Sequence, residues 1–279
     1  MNMVVTGAAG QLGGATVRRL SSLANVLALT RDDVDLTDHD RVMAVVTGGR
    51  PDVVINCSAW NAVDQAEDDP LKALAVNAFA VQSLARAAAA SNAVFVHYST
   101  DFVFDGLAEQ PYVETDPTHP RSVYGQSKLV GEWLACEAPT AYVLRVESLF
   151  GGPAARGSVD KIIAALRAGQ EAPVFVDRTV TPSYVEDVAA ATWALVTSHA
   201  PGGVYHVVNS RTTTWYELGR EIARLLGCPA RLRPVKVTDV PLRAPRPQYC
   251  ALSNAKLASA GFQMPSWQDA IERYLKSLA

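Results

Sequence analysis

Tyr124 and Lys128 stand four residues apart in the run Tyr124-Gly125-Gln126-Ser127-Lys128. Residues at i and i+4 share one helix face, so a helical reading makes the phenol and the ammonium neighbours. An unperturbed phenol, with a pKa near ~10, is a poor acid–base group at neutral pH. A fixed cation beside it is expected to favour the phenolate and draw that value toward the working range. Upstream, an apolar run ends in Ser99-Thr100-Asp101. A hydroxyl there can bond a substrate carbonyl oxygen and turn it toward Tyr124. The implied chemistry is hydride delivery to a carbonyl carbon, with Tyr124 giving the proton to the oxygen. Lys128 is expected to tune the phenol and to hold a nicotinamide ribose.

A dinucleotide that carries the hydride needs a cradle, and Thr6-Gly7-Ala8-Ala9-Gly10-Gln11-Leu12-Gly13 has the composition of one. Gly7, Gly10 and Gly13 lie between an apolar strand and a helix, where glycine permits a tight turn. Backbone N–H groups can then approach a pyrophosphate at the helix N-terminus. Gln11 and Leu12 belong to the same motif and are counted as cofactor contacts. The second strand ends Ala28-Leu29-Thr30-Arg31, without the acidic residue that binds a free ribose diol. The forked donors of Arg31 suit a 2′-phosphate instead. Either Asp32 or Asp33 can take the diol role, so NADPH is expected and NADH is the alternative. Asp35 and Leu36 are expected to flank the adenine, the carboxylate accepting from its amino group.

Placing these residues on one edge requires alternating strands and helices. The runs Met3–Thr6, Val26–Leu29, Val53–Asn56, Val94–Tyr98 and Tyr142–Val146 read as strands, most of them continuously apolar. Helices are expected to begin near Gln11, Asp38, Pro70, Ser122 and Ser158, with Asp69-Pro70 a good start signal. The predicted fold is α/β: a Rossmann-type doubly wound parallel sheet over residues 1–150, with a smaller C-terminal substrate-binding lobe over 151–279. Gly151-Gly152-Pro153 opens that second part. A helix to about Arg167, a strand Val174–Val176, a helix Tyr184–Val196, a strand Val204–Val208 and a closing helix Trp267–Leu278 follow. Residues 184–209 are expected to rejoin the main sheet.

Composition narrows the partners. The 279 residues are 49% hydrophobic and 19% charged, with a net charge of −3 and no block of like charges. That balance gives no electrostatic case for a nucleic-acid or membrane partner. The chain enters the apolar strand Met3-Val4-Val5 at once, leaving no room for a signal peptide. No apolar run approaches the ~20 residues needed to span a bilayer, and a cytoplasmic protein is expected. Cys57, Cys136, Cys228 and Cys250 lie far apart, and the five histidines show no ligand spacing. No disulfide framework or metal is therefore expected, and His97 and His206 read as core residues.

The quoted motifs together resemble the extended short-chain dehydrogenase/reductase family. The likeness continues through Asn56-Cys57-Ser58-Ala59-Trp60, Val76-Asn77-Ala78, the run His97 to Gly106, Pro111 to Asp116 and Thr181 to Asp187, covering nearly the whole chain. It implies NAD(P)H-dependent reduction of a keto group on a nucleotide-activated sugar, an NDP-4-keto-6-deoxyhexose foremost. Thr100, Tyr124 and Lys128 fall on the family's catalytic positions, and Cys57, Ser58 and Ala59 join the implied cofactor contacts. Ser99, Thr100, Phe102, Glu147, Arg178 and Arg246 are the implied substrate contacts. Sugar-nucleotide dehydratases of the wider family carry an Asp-Glu pair after this Thr. Phe102 cannot act as that acid or base, which favours direct reduction.

The chain also departs from the pattern. A Thr-Ser-Trp series is usual where Val146-Glu147-Ser148 stands, so the aromatic platform is missing at Ser148 and Glu147 adds a carboxylate. Arg178 is a second departure, placed to pair with a diphosphate or with Glu147. Arg246 has a phosphate role or a solvated one. Two other functions remain open on the sequence: a non-catalytic NADP-binding regulatory subunit, and a nucleotide-sugar epimerase that retains bound NAD. A homodimer is common in the superfamily, although no self-complementary patch can be picked out.

Overall fold

The apolar runs form a six-stranded, wholly parallel sheet. Its strands are β1 (Asn2–Thr6), β2 (Asn25–Leu29), β3 (Val53–Asn56), β4 (Val94–Thr100), β5 (Ala141–Val146) and β6 (Gly203–His206). The computed structural model describes residues 1–152 and 157–278; Pro153 lies outside them. Strand order is β6-β5-β4-β3-β1-β2. The chain therefore starts mid-sheet, moves to one edge, then reverses between β1 and β3. This is a doubly wound Rossmann-type sheet, whose ligand crevice lies at such a reversal, beyond the carboxyl ends of the strands.

Alternation along each strand divides the core. Val4, Val54, Phe95 and Val143 face one layer, packed on the helices His39–Gly48 and Ala80–Ala90. Met3, Val5, Ile55, Val96 and Leu144 face the other. The period-2 geometry of a strand puts these two sets on opposite faces. The edge strand β2 differs, exposing Asn25, Leu27 and Ala28.

Helices begin where a side chain can cap them. Asp38 accepts from Arg41 N, Asp69 from Lys72 N with Pro70 in the first turn, and Ser122 from Gly125 N. The segment Pro70–Ala90 is helical throughout its 21 residues, with a π-helical turn at Ala75–Phe79. By length and hydropathy it meets the requirement for crossing a bilayer, which corrects the expectation that no run approaches that length. In the fold it is a core helix: Val81, Leu84, Ala85 and Ala88 are buried.

Beyond residue 150 lie the helices Ser158–Arg167, Val185–Thr197, Trp215–Leu226 and Trp267–Ser277. Thr214 and Glu217 form a reciprocal capping box at the third of these. The strand Ala172–Phe175 pairs in parallel with Leu232–Val235. That partner strand was not legible in the Pro- and Arg-rich stretch, because Pro234 cannot donate to a ladder and fits only an edge. Ile162, Leu166, Leu218, Ile222, Trp267 and Ile271 pack into the same apolar cluster as the β1 and β3–β5 residues above.

Candidate active site

A cleft of about 670 Å³ opens at the carboxyl edge of the sheet. Gly7, Gly10, Gln11 and Leu12 form one wall, and the loop after β3, Cys57 to Ala59, forms the next. These two loops flank the reversal between β1 and β3. Gly7 has φ +70°, and a Cβ there would lie 2.8 Å from Ser58 N. Gly10 N donates to Gly7 O at 2.8 Å, closing the turn. A Cβ on Gly13 would stand 2.1 Å from Gly7 O, so helix and turn can approach only without a side chain. Gly13→Ala is expected to lower stability by about 1–3 kcal/mol, the usual range for overpacking. Thermal unfolding measures this, and an unchanged midpoint would remove the close-approach argument.

Arg31, Asp35 and Leu36 line the far end of the cleft. Asp33 does not line it: its carboxylate accepts from Thr30 N at 2.8 Å and Thr30 Oγ1 at 2.7 Å. The bonds from Thr30 hold Asp33 below the usual carboxylate range. Asp32 is also outside the lining. Of Arg31, Asp32 and Asp33, Arg31 alone lines the cleft. Asp35 caps its own turn, with Oδ1 accepting from Thr37 N at 2.9 Å.

The loop after β3 is held by Asn77, inside the π-helical turn. Its Oδ1 accepts from Trp60 N at 2.8 Å, and its Nδ2 donates to Trp60 O and to Ser127 Oγ. One carboxamide thereby ties that loop to the helix that carries the tyrosine, a use of a π-turn common at functional sites. The same loop delivers Asn61, whose Oδ1 lies 3.3 Å from the Tyr124 hydroxyl. Asn61 was not identified from the sequence, and Asn77 was named only within the Val76-Asn77-Ala78 likeness, without a role.

Thr100, Tyr124 and Lys128 all line the cleft. Thr100 closes β4, and its Oγ1 donates to Asp101 Oδ1 at 3.0 Å and accepts from Phe102 N at 3.3 Å. Tyr124 and Lys128 project from the helix Val123–Ala135, with Phe102 edge-on to the Tyr124 ring at 5.5 Å. Lys128 Nζ donates to Tyr98 O at 2.7 Å and lies 3.3 Å from His97 Nε2. The ammonium is therefore aimed at the end of β4 and not at the phenol. Burial first, then the charge of Asp101, hold Tyr124 above the ordinary phenol value, partly offset by the Thr100 hydroxyl. This corrects the expectation of a phenol acidified by its neighbour. Burial pulls Lys128 down to about 8, opposed by Glu132.

Two implied substrate contacts have protein partners of their own. Ser99 borders the cleft, but its hydroxyl donates to buried Glu132. That proton is engaged, while the oxygen keeps its capacity to accept from a ligand. Arg246 is outside the lining; it pairs with Asp64 at 3.0 Å and sits over the Phe102 ring at 5.9 Å.

Phe102, Glu147 and Arg178 do line the cleft, and Glu147 and Arg178 converge with Asp101 and Cys250 at its inner end. Asp101, Glu147 and Cys250 each bring one atom within 4.8 Å of the others, all buried. Arg178 donates from Nη2 to Cys250 Sγ at 3.1 Å and from Nε to Pro247 O at 3.0 Å. That guanidinium already supplies the positive charge in the cluster. Burial raises Asp101 to about 6, against the pull of Arg178. Burial and then the Asp101 charge raise Glu147 to about 8. Asp101 Oδ2 has no partner. Trp215, buried and with an unpartnered indole N–H, brings an aromatic ring to the lining from the C-terminal half.

A doubly wound sheet with a glycine cradle and a Thr-Tyr-Lys set at one carboxyl edge is that of an extended short-chain dehydrogenase/reductase. Within that class the chain belongs to the RmlD substrate binding domain family, whose model matches residues 1–279. Similar curated proteins cover nearly the whole chain. A dTDP-4-dehydrorhamnose reductase of Streptomyces griseus is 39% identical over 291 residues, covering 99% of this chain and 93% of that one. A probable dTDP-4,6-dihydroxy-2-methyloxan-3-one 4-ketoreductase of Streptomyces antibioticus is 37% identical, covering 97% and 93%. The solved structure of a dTDP-4-dehydrorhamnose reductase from Bacillus anthracis in complex with NADP superposes with a TM-score of 0.94 at 30% identity, covering 99% and 98%.

Proposed function

We propose that the protein reduces the 4-keto group of a 6-deoxyhexose carried on a nucleoside diphosphate, using NADPH. The observation that carries this reading is the meeting of Thr100, Tyr124 and Lys128 in the cleft that the glycine cradle opens. The cradle fits a dinucleotide: without Cβ atoms at Gly7 and Gly13 the turn packs closely on Ser58 and on the start of the helix, the tight strand-turn-helix backbone that a pyrophosphate site needs. Arg31 supports NADPH, as does the NADP bound by the Bacillus anthracis relative. When bound, the dinucleotide supplies a hydride to the carbonyl carbon.

The residues of this chain do the rest. Tyr124 retains its proton at neutral pH, since burial holds the phenol above its ordinary value. A reductase needs the phenol in that acid form, because it donates to the developing alkoxide. The Thr100 hydroxyl orients the same oxygen. Lys128 fixes the end of β4 through Tyr98 O and places a cation beneath the cofactor side of the cleft. Residues 151–279, apart from the returning 184–209, serve as the substrate lobe in this reading. A cytoplasmic location fits a nucleotide-linked substrate and a reduced dinucleotide pool.

The test is NADPH oxidation by the purified chain over a panel of keto-sugar nucleotides. Turnover of a 4-keto-6-deoxyhexose supports the proposal; inertness across the panel removes it. An oxidised dinucleotide retained through purification would favour an epimerase. Arg31→Ala is expected to weaken NADPH about tenfold while leaving NADH unchanged. A charge-assisted bond is worth about 1.5–3 kcal/mol, and exposure discounts this one. Fluorescence titration with both cofactors checks it, and equal losses for the two would sink the 2′-phosphate assignment.

A further inference from the structure

After Tyr124 gives its proton away, the phenolate must be recharged before the next cycle. Thr100 Oγ1 donates to a buried acid, Asp101 Oδ1, at 3.0 Å, and Thr100, Asp101 and Tyr124 line the same cleft, where the Thr100 hydroxyl and the Asp101 charge both act on the phenol. Behind Asp101 stands Glu147, with carboxyl oxygens of the two within 4.8 Å of one another. Both acids are buried, and Asp101 Oδ2 is unpartnered. Two carboxylates this close, out of water, do not both ionise at neutral pH.

We propose that Asp101 and Glu147 share one proton, and that this proton resupplies Tyr124 through the Thr100 hydroxyl after each turnover. The second half rests on the reduction reading above. The groups around the pair are few. Arg178 and Cys250 face it from the C-terminal half, Thr181 donates from N and Oγ1 to Glu147 Oε2, and Ser148 donates to Oε1. Thr100 and Tyr124 face it from the sheet edge and the catalytic helix.

With Arg178 charged and one proton on the pair, a single negative carboxylate balances the guanidinium. The shared proton therefore leaves no net charge buried among these groups. In the transfer, the Thr100 O–H bond breaks toward the phenolate oxygen as the Asp101 carboxyl O–H bond breaks toward Thr100 Oγ1. The pair then regains one proton from solvent at the cleft. Each turnover consumes one hydride and one proton, and the alcohol product carries both. Glu147 is in this account a positioning and proton-holding residue; it does not touch the reacting carbonyl.

The experiment has an arm without substrate and an arm with it. Glu147 is raised from its ordinary 4.5 to about 8. Its stabilising contribution is complete below 4.5 and is lost as pH rises through about 8. The thermal midpoint of the unmodified protein should therefore fall between these values, and Glu147→Gln should flatten the decline. Glu147→Ser serves if the Gln variant does not fold. Infrared difference spectra of the unmodified protein, neutral against alkaline, should show loss of a protonated-carboxyl stretch. Parallel thermal curves, or no such loss, overturn the shared proton.

With a keto-sugar nucleotide that turns over, kcat should decline above about pH 8. In Glu147→Gln that limb should move acidward by about two units, toward the value near 6 of Asp101. Lys128 also titrates near 8, and its limb would stay in place. A superposable profile thus overturns the resupply route. A chain inert on every keto sugar fails the reduction reading, while the thermal and infrared arm still decides whether the proton is shared.

Discussion

Tyr124→Phe is expected to lower kcat by about 10²- to 10⁴-fold, the range for removing a positioned general acid. The phenol lines the cleft with Thr100 and donates to Asn61 Oδ1 at 3.3 Å. The ring itself packs edge-on to Phe102, and Phe at position 124 keeps that contact. Cofactor binding and the thermal midpoint should therefore stay near those of the unmodified protein. A variant that retains more than about a tenth of kcat would show that the proton comes from elsewhere, since so small a loss lies outside the range for general-acid removal.

The second large effect is on stability. Glu132→Ala should cost about 3–5 kcal/mol, because it leaves a buried guanidinium without its partner. Glu132 accepts from Arg145 Nε at 2.9 Å and Nη2 at 2.7 Å, and both side chains are only 4% exposed. The same carboxylate accepts from Ser99 and faces Lys128, so the change also strips the underside of the catalytic edge. Replacing both partners, Glu132→Met with Arg145→Leu, should recover much of the loss, since the charge then leaves with its counter-charge. Chemical unfolding of the single and double variants measures both. A single-variant loss below about 1 kcal/mol, the scale of an exposed pair, would contradict the burial argument.

What the sequence disclosed follows from how local each signal is. The cradle and the Tyr-Lys set are contiguous, and strand–turn–helix context reads them directly. The nearly continuous burial of β1 and β3 to β5 is likewise written in short apolar runs. The convergence of Asp101, Glu147, Arg178 and Cys250 is not, because it joins four segments that only the tertiary fold brings together. Spacing put Lys128 on the face of Tyr124 but could not say where a four-carbon arm ends; Tyr98 O captured it. Ser99 reads as a free hydroxyl until Glu132 is placed behind it. The strand Leu232–Val235 was hidden by Pro234, and the length of Pro70–Ala90 by Lys72 and Arg86, which the fold turns outward, and by Asn77, which it buries.

The apolar cluster that joins β1 and β3–β5 to Ile162, Leu218 and Trp267 sets a limit on how this scaffold can be re-engineered. Among the described residues, the interior that backs the glycine cradle also backs the helices beyond residue 150. Grafting a foreign specificity half onto residues 1–150 would tear that interior open and expose Met3, Val5 and Leu144 to water. Changes that spare this interior fall instead on cleft-lining residues outside the cluster, such as Asn61 and Ser148.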